Sequence, residues 1–240
     1  MCGRYTLIHD VALFANAFDA QVGVTDIDWS SLIPRYNVAP TTTVPVIVAR
    51  DNDRALLPMR WGLIPFWAEQ RQKSGVIDKK GKYVNTPFNA RGETVDTTRS
   101  FSSGFKSRRV IIPASGFYEW KKAGNEKTPL YITLKEDEPM GIAGIWGTWK
   151  SSEGEVVDSC TIVTTVPNDF MEQIHDRMPV ILPKDAQNDW LDPTNNEVGA
   201  LKELLVPYAS DEMQALEVQP LVNNVRNEGP ELVEAVLRLI

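Results

Sequence analysis

The stretch "PLYITLK", residues 129–135, sets Leu130, Ile132 and Leu134 at alternate positions. Alternation of period two is the pattern of a β-strand with one face on a core and the other toward water. Working outward, strand-like runs recur on both sides. Upstream are "VPVIVAR" (44–50), "ALLPMRWG" (55–62), "RRVIIPAS" (108–115) and "FYEWKK" (117–122); downstream are "GIAGIWGTW" (141–149) and "CTIVTT" (160–165). Helical spacing is found early in "DVALFANAF" (10–18), where Asp10 is placed to cap and Val11, Phe14 and Phe18 share a face. It returns late, in "NDFMEQIHD" (168–176, Asn168 as cap), "DAQNDWL" (185–191), "EVGALKELL" (197–205) and "PELVEAVLRLI" (230–240). Many strands first and most helices late predict an α+β fold: a β-rich single domain with barrel-like antiparallel sheets and peripheral helices.

Composition sets the class. The 240 residues are 42% hydrophobic and 24% charged, as in ordinary globular proteins, and no linker, repeat or low-complexity tract divides them. No apolar run approaches a membrane span and the first 15 residues lack a signal-peptide layout, so a cytoplasmic protein is expected, with no membrane partner. Two cysteines, Cys2 and Cys160, allow one disulfide at most, and none is expected in a reducing compartment. The only histidines, His9 and His175, form no zinc-ligand cluster with them, and neither a metal nor an organic cofactor is expected. Net charge is −7, yet residues 60–127 alone carry 14 basic and 6 acidic side chains. A basic third inside an acidic protein fits selective contact with a phosphate backbone; a solvated basic loop around "RQKSGVIDKKGK" (71–82) explains the same count.

Chemistry begins at Cys2. Once Met1 is trimmed, an N-terminal cysteine is a 1,2-aminothiol. Its α-amine, with a pKa of about 8, is uncharged roughly a few hundred times more often near neutrality than a lysine amine at about 10.4. Such an amine attacks an aldehyde to give an imine, and the neighbouring sulfur closes a five-membered thiazolidine at high effective molarity. An inert thiol near a frayed end is the plain alternative. In "WGLIPFW", Trp61, Phe66 and Trp67 either join a core or form an exposed wedge with Pro65 that stacks on unpaired bases. "NARGET" puts Asn89, Arg91 and Glu93 on one face of an extended chain, where Arg91 pairs with a phosphate or with Glu93. Glu119 sits between Tyr118 and Trp120 in "GFYEWKK"; a carboxylate losing hydration there suits proton transfer, whereas an outward strand residue does nothing. His175, followed by Asp176 and Arg177, is either a second proton carrier or a hydrogen-bonded helix end.

Taken in order, Met-Cys-Gly-Arg at the start, "RYNVAP", "WGLIPFW", "NARGET", "GFYEWKK", "IHDRMPVIL" and "NNVRNEGPEL" resemble the SRAP (SOS-response-associated peptidase) family of abasic-site processing proteins. The resemblance runs from Cys2 to about Leu232, so a domain is expected over 2–232, with 233–240 as the end of a C-terminal helix. It implies a protein of the DNA-damage (SOS) response that binds single-stranded DNA and crosslinks Cys2 to the aldehyde of an abasic site, with lyase-type side activity. Under it, Cys2, Asn89, Glu119 and His175 are the catalytic set: Asn89 positions the sugar, and Glu119 and His175 act as acid and base. Gly3, Arg4, Pro40, Trp67, Arg91 and Arg99 line the DNA path. A monomer is expected, associated with the nucleoid when bound to damaged DNA. The rival class is a thiol peptidase using Cys2, including removal of its own N-terminal residue. The stretch from Ala68 to Pro87 reads as a long loop of variable length.

Overall fold

The computed structural model describes residues 2–22, 27–50, 53–68, 86–151 and 154–236. The basic run 71–82 and most of the expected 68–87 loop therefore lie outside the described residues. The strands are β1 (Tyr5–Leu7), β2 (Ala20–Val22), β3 (Arg35–Val38), β4 (Thr43–Arg50), β5 (Asp53–Trp61), β6 (Asn89–Arg91), β7 (Arg109–Ala114), β8 (Gly116–Ala123), β9 (Glu126–Leu134), β10 (Met140–Lys150), β11 (Val156–Thr165), β12 (Met178–Pro179) and β13 (Met213–Glu217). Short helices lie between them: α1 (Val11–Ala17), α2 (Ser102–Ser107), α3 (Asp169–Glu172), α4 (Ala186–Leu191) and α5 (Val198–Glu203). Asp10 caps α1 by accepting from the Leu13 amide (2.7 Å), and Asn168 caps α3 by accepting from Met171 (2.8 Å), as their positions predict. No periodic pattern announces α2.

The β-rich α+β expectation holds. Strands β11, β10, β7, β4 and β5 pair in that order, and β5 closes the ring by pairing back to β11 through Cys160 and Trp61. The closing pair is parallel, as are β6 on β11 and β2 on β5, so the barrel is mixed rather than wholly antiparallel. Closure removes exposed strand edges. It also explains the unbroken apolar runs Val44–Val48 and Val110–Ile112, which are buried on both faces.

A second sheet, in the order β13-β9-β8-β1-β3, packs alongside. β1 is an interior strand of it: Tyr5 pairs with both Val38 and Phe117. The N-terminal segment, which would ordinarily fray, is thus clamped between two strands, and all three residues of β1 are buried. Gly116 is required where β8 passes Tyr131, because a Cβ there would lie 2.6 Å from that ring.

Two expectations need correction. The outward face of "PLYITLK" is not wetted: Tyr131 is buried with Tyr118, Val218 and Val222, and Trp120 and Val233 pack against them. The cover is the C-terminal segment, fastened by side-chain amide bonds that period-two patterning cannot register. Asn37 donates to the carbonyls of Asn224 and Asn227 (both 3.0 Å), and Arg4 donates to Asn37 Oδ1 (2.7 Å) and the Val222 carbonyl (2.9 Å). The C-terminal helix is likewise not seen over 230–236. Pro230–Val233 is a single 3₁₀ turn, and Ala235 then extends to bridge Val218. Leu232 is fully buried in that turn; residues 237–240 are outside the described part. Among the described residues no helix is long and apolar enough to cross a membrane.

Candidate active site at the N-terminal cysteine

Four elements converge on Cys2. β1 begins three residues after it, and the sheet draws Cys2 fully out of solvent. β6 lies parallel to β11, with Asn89 opposite Ile162, and from there the Asn89 side-chain amide donates to the Cys2 carbonyl at 2.9 Å. β8 runs antiparallel to β1, and its Tyr118 amide donates to the Arg4 carbonyl (2.9 Å), which brings Glu119 beside the cysteine. The turn after α3 supplies His175, whose Nε2 stands 3.9 Å from Glu119 Oε2. The four residues that the resemblance named as catalytic are therefore brought together, from positions 2, 89, 119 and 175 of the chain.

The electrostatics are those of a resting site. The Cys2 thiol is pushed up strongly, first by burial and then by the negative charge of Glu119; positive charge at the chain start and a hydrogen bond from the Arg4 backbone act the other way. Glu119 is only 3% exposed, so its carboxylate faces the cysteine and imidazole rather than bulk water. Asn89 Oδ1 is buried with no hydrogen-bond partner among the described residues, leaving one acceptor aimed into the site. His175 has two competing partners at Nδ1. The Arg177 amide donates to it at 3.0 Å, which requires a proton-free Nδ1 and a proton on Nε2 facing Glu119. Asp176 Oδ1, at 2.8 Å, favours a proton on Nδ1 instead. The two contacts favour different tautomers of the ring.

The residues expected along a DNA path scatter more widely. Gly3 and Pro40 are half-buried. Arg4 is occupied in fastening the C-terminal segment, as described above. Arg91 is exposed and without an ion pair among the described residues. The Glu93 carboxylate is instead gripped by Arg177 (2.5 and 3.0 Å), which holds it below the usual carboxylate range. In "WGLIPFW" Trp61 and Pro65 are buried, while Phe66 is 62% exposed, so Pro65 does not form part of an exposed wedge. Trp67 is intermediate, packed against Ile64, Ala68 and Trp149, with the Arg99 guanidinium 5.7 Å above its ring. Arg99 and Phe66 line a cleft of about 300 Å³. Sequence reasoning missed a different groove, about 400 Å³, in which Glu119 and His175 are joined by Trp120, Lys122, Lys127 and Asn223. "NNVRNEGPEL" was the only signal for Asn223, and nothing in its composition indicated a site.

A mixed β-barrel whose N-terminal cysteine is sheet-bound against an amide, a carboxylate and an imidazole is the class that fold and site define. The chain belongs to the SOS response associated peptidase (SRAP) family, whose model matches residues 1–225. It is 39% identical over 236 residues to the abasic site processing protein YoqW of Bacillus subtilis, covering 98% of this chain and all of that one. It is 32% identical to YedK of Escherichia coli, again covering 98% of this chain and all of the relative. With HMCES of Rattus norvegicus, also named an abasic site processing protein, identity is 31% over 96% of this chain and 75% of the relative. Among solved structures, a protein from Bacteroides thetaiotaomicron superposes with a TM-score of 0.86 at 26% identity, covering 98% of this chain and all of that one.

Proposed function

We propose that this protein processes abasic sites in single-stranded DNA, as part of the DNA-damage (SOS) response, by crosslinking Cys2 to the aldehyde of the opened sugar. The observation that carries this is the sheet-bound Cys2 in contact with Asn89 and beside the Glu119–His175 pair. A nucleophile at a chain end is ordinarily mobile; here β1 fixes it, which is what intramolecular ring closure needs. The names of the curated relatives supply the substrate class.

Removal of Met1 frees the α-amine. His175 delivers a proton to the ring oxygen of the closed deoxyribose while a base takes the hydroxyl proton, and the aldehyde opens. Glu119 accepts the ammonium proton, and the amine adds to the carbonyl carbon. Water leaves with a proton returned by the acid, giving an iminium. The Cys2 thiol then passes its proton to Glu119 as sulfur bonds to the iminium carbon, and the thiazolidine closes with one water as the sole by-product. Release of a proton from the carbon next to the iminium would instead lead to β-elimination, a lyase outcome.

A gel tests this. The unblocked protein mixed with an abasic oligonucleotide gives a band that survives denaturation, and a form retaining Met1 or bearing an N-terminal tag gives none. Equal adduct from the blocked form overturns the aminothiol chemistry. Peptide cleavage without any adduct would assign the site to a thiol peptidase.

A further inference from the structure

We propose that Lys122 and Lys127 form a phosphate-binding site at the outer end of the groove that holds Glu119 and His175, taking a backbone phosphate of the DNA strand beside the reacting nucleotide. The site rests on the DNA-processing function proposed above, and extends it to the last residue of "GFYEWKK" and to Lys127, which lies outside the quoted motifs.

The two lysines are direct cross-strand partners in the β8–β9 register. Residues directly opposite on antiparallel strands project from the same face, about 4.5–5.5 Å apart at Cβ, and like charges so placed repel. β8 is paired to β1 only as far as Phe117, and β13 joins β9 only from Leu130 onward. Between those limits the hairpin projects as a two-stranded ribbon, a form that is marginal in water by itself. A repelling pair on a marginal ribbon is a cost unless an anion sits between the ammonium groups.

No anion among the described residues does so. Neither lysine has an ion pair or hydrogen bond among the described residues, and both are exposed. Alternation puts the ribbon's own acid, Glu126, on the other face with Lys121. On the lysine face, Trp120 is the next side chain inward, its indole N–H fixed on Asn223 Oδ1 at 2.7 Å. Glu119 alternates to the other face of β8, with Lys121, yet it and His175 line the same groove as Trp120 and the two lysines. A held aromatic ring next to two ammonium groups in that groove fits one nucleotide unit with its phosphate.

The test uses an undamaged single-stranded oligonucleotide, fluorescence anisotropy across a salt series, and single-turnover adduct formation at saturating abasic oligonucleotide. The Lys122→Ala/Lys127→Ala double variant should raise Kd about fivefold at low salt, the upper range for an exposed ion pair. Its log–log salt slope should fall by about 0.7 for one phosphate lost from a single strand. Its adduct rate at saturation should stay within twofold of the unaltered protein, because neither lysine meets the reacting atoms. Lys135→Ala, beyond the other end of β9, should change neither Kd nor slope. An unchanged Kd and slope in the double variant, or an equal loss in Lys135→Ala, overturns the site. Lysine-dependent binding without any adduct from the unaltered protein leaves the phosphate site standing and removes the crosslinking chemistry. Failure of the unaltered protein to bind the oligonucleotide overturns both.

Discussion

Cys2 and Cys160 are both fully buried free thiols, and both are pushed up by burial, Cys160 to about 12. Their surroundings differ. Cys160 lies in the barrel wall between Trp146 on β10 and Trp61 on β5, and its carbonyl is taken by the Gly62 amide. The side chain lies in the apolar core, with the positive charge of Arg60 acting on it. Cys2 precedes an interior strand of the other sheet, beside Glu119, and its carbonyl is held by a side chain instead of a strand. Burial by itself therefore says little about reactivity. The difference is one of partners: Cys2 has a side-chain amide on its carbonyl and a carboxylate beside its thiol, whereas Cys160 has the barrel ladder.

Exchanging the two cysteines for alanine tests this contrast at its strongest. Cys2→Ala should abolish the denaturation-resistant adduct, leaving at most an imine that borohydride traps, with little change in melting temperature. Cys160→Ala should keep the adduct and cost about 1–3 kcal/mol of stability, as for other losses of core volume. If Cys160→Ala lost the adduct at unchanged stability, the barrel thiol would belong to the site after all.

A smaller effect is expected when Cys2 is kept and its proton carriers are changed. His175→Ala and Glu119→Gln should each slow the single-turnover adduct rate by about 10²-fold, the lower range for loss of general acid–base catalysis, with DNA affinity nearly unchanged. The Glu119→Gln defect should shrink as pH rises, because the α-amine then loses its proton unaided. Rates within twofold of the unaltered protein from pH 6 to 9 would return both residues to structural roles.

The smallest effect is on stability in alkali. An unfolded thiol ionises near its ordinary value of 9.0, whereas folded Cys160 holds its proton to about 12. A folded value raised above the unfolded one means that its contribution is complete below pH 9 and drains away between 9 and 12. The urea midpoint should therefore fall on going from pH 8 to 10.5, and fall less in Cys160→Ala. An equal fall in Cys160→Ala would show that this thiol holds no proton in the folded chain that the unfolded chain gives up.

Much of this was legible in the chain. Alternating and unbroken apolar runs announced the strands, Asp10 and Asn168 announced the starts of α1 and α3, and the ordered motifs named Cys2, Asn89, Glu119 and His175. Local patterns record what each residue does to its own few neighbours. Barrel closure through Cys160 and Trp61 was not readable, because a pairing between strands about a hundred residues apart leaves no periodic trace. The 3₁₀ turn at Pro230–Val233 was misread as helix because its apolar residues answer to Tyr118 and Tyr131, not to a helical face. The sequence by itself determined which reactive groups the protein owns and that it is built from strands. Only the tertiary structure decided that a chain end would be an interior strand, that Arg4 would hold the C-terminal segment, and that Lys122 and Lys127 would face each other in the groove of Glu119 and His175. Those outcomes depend on register and on which elements cover which faces, and both are fixed by long-range packing that no short stretch contains.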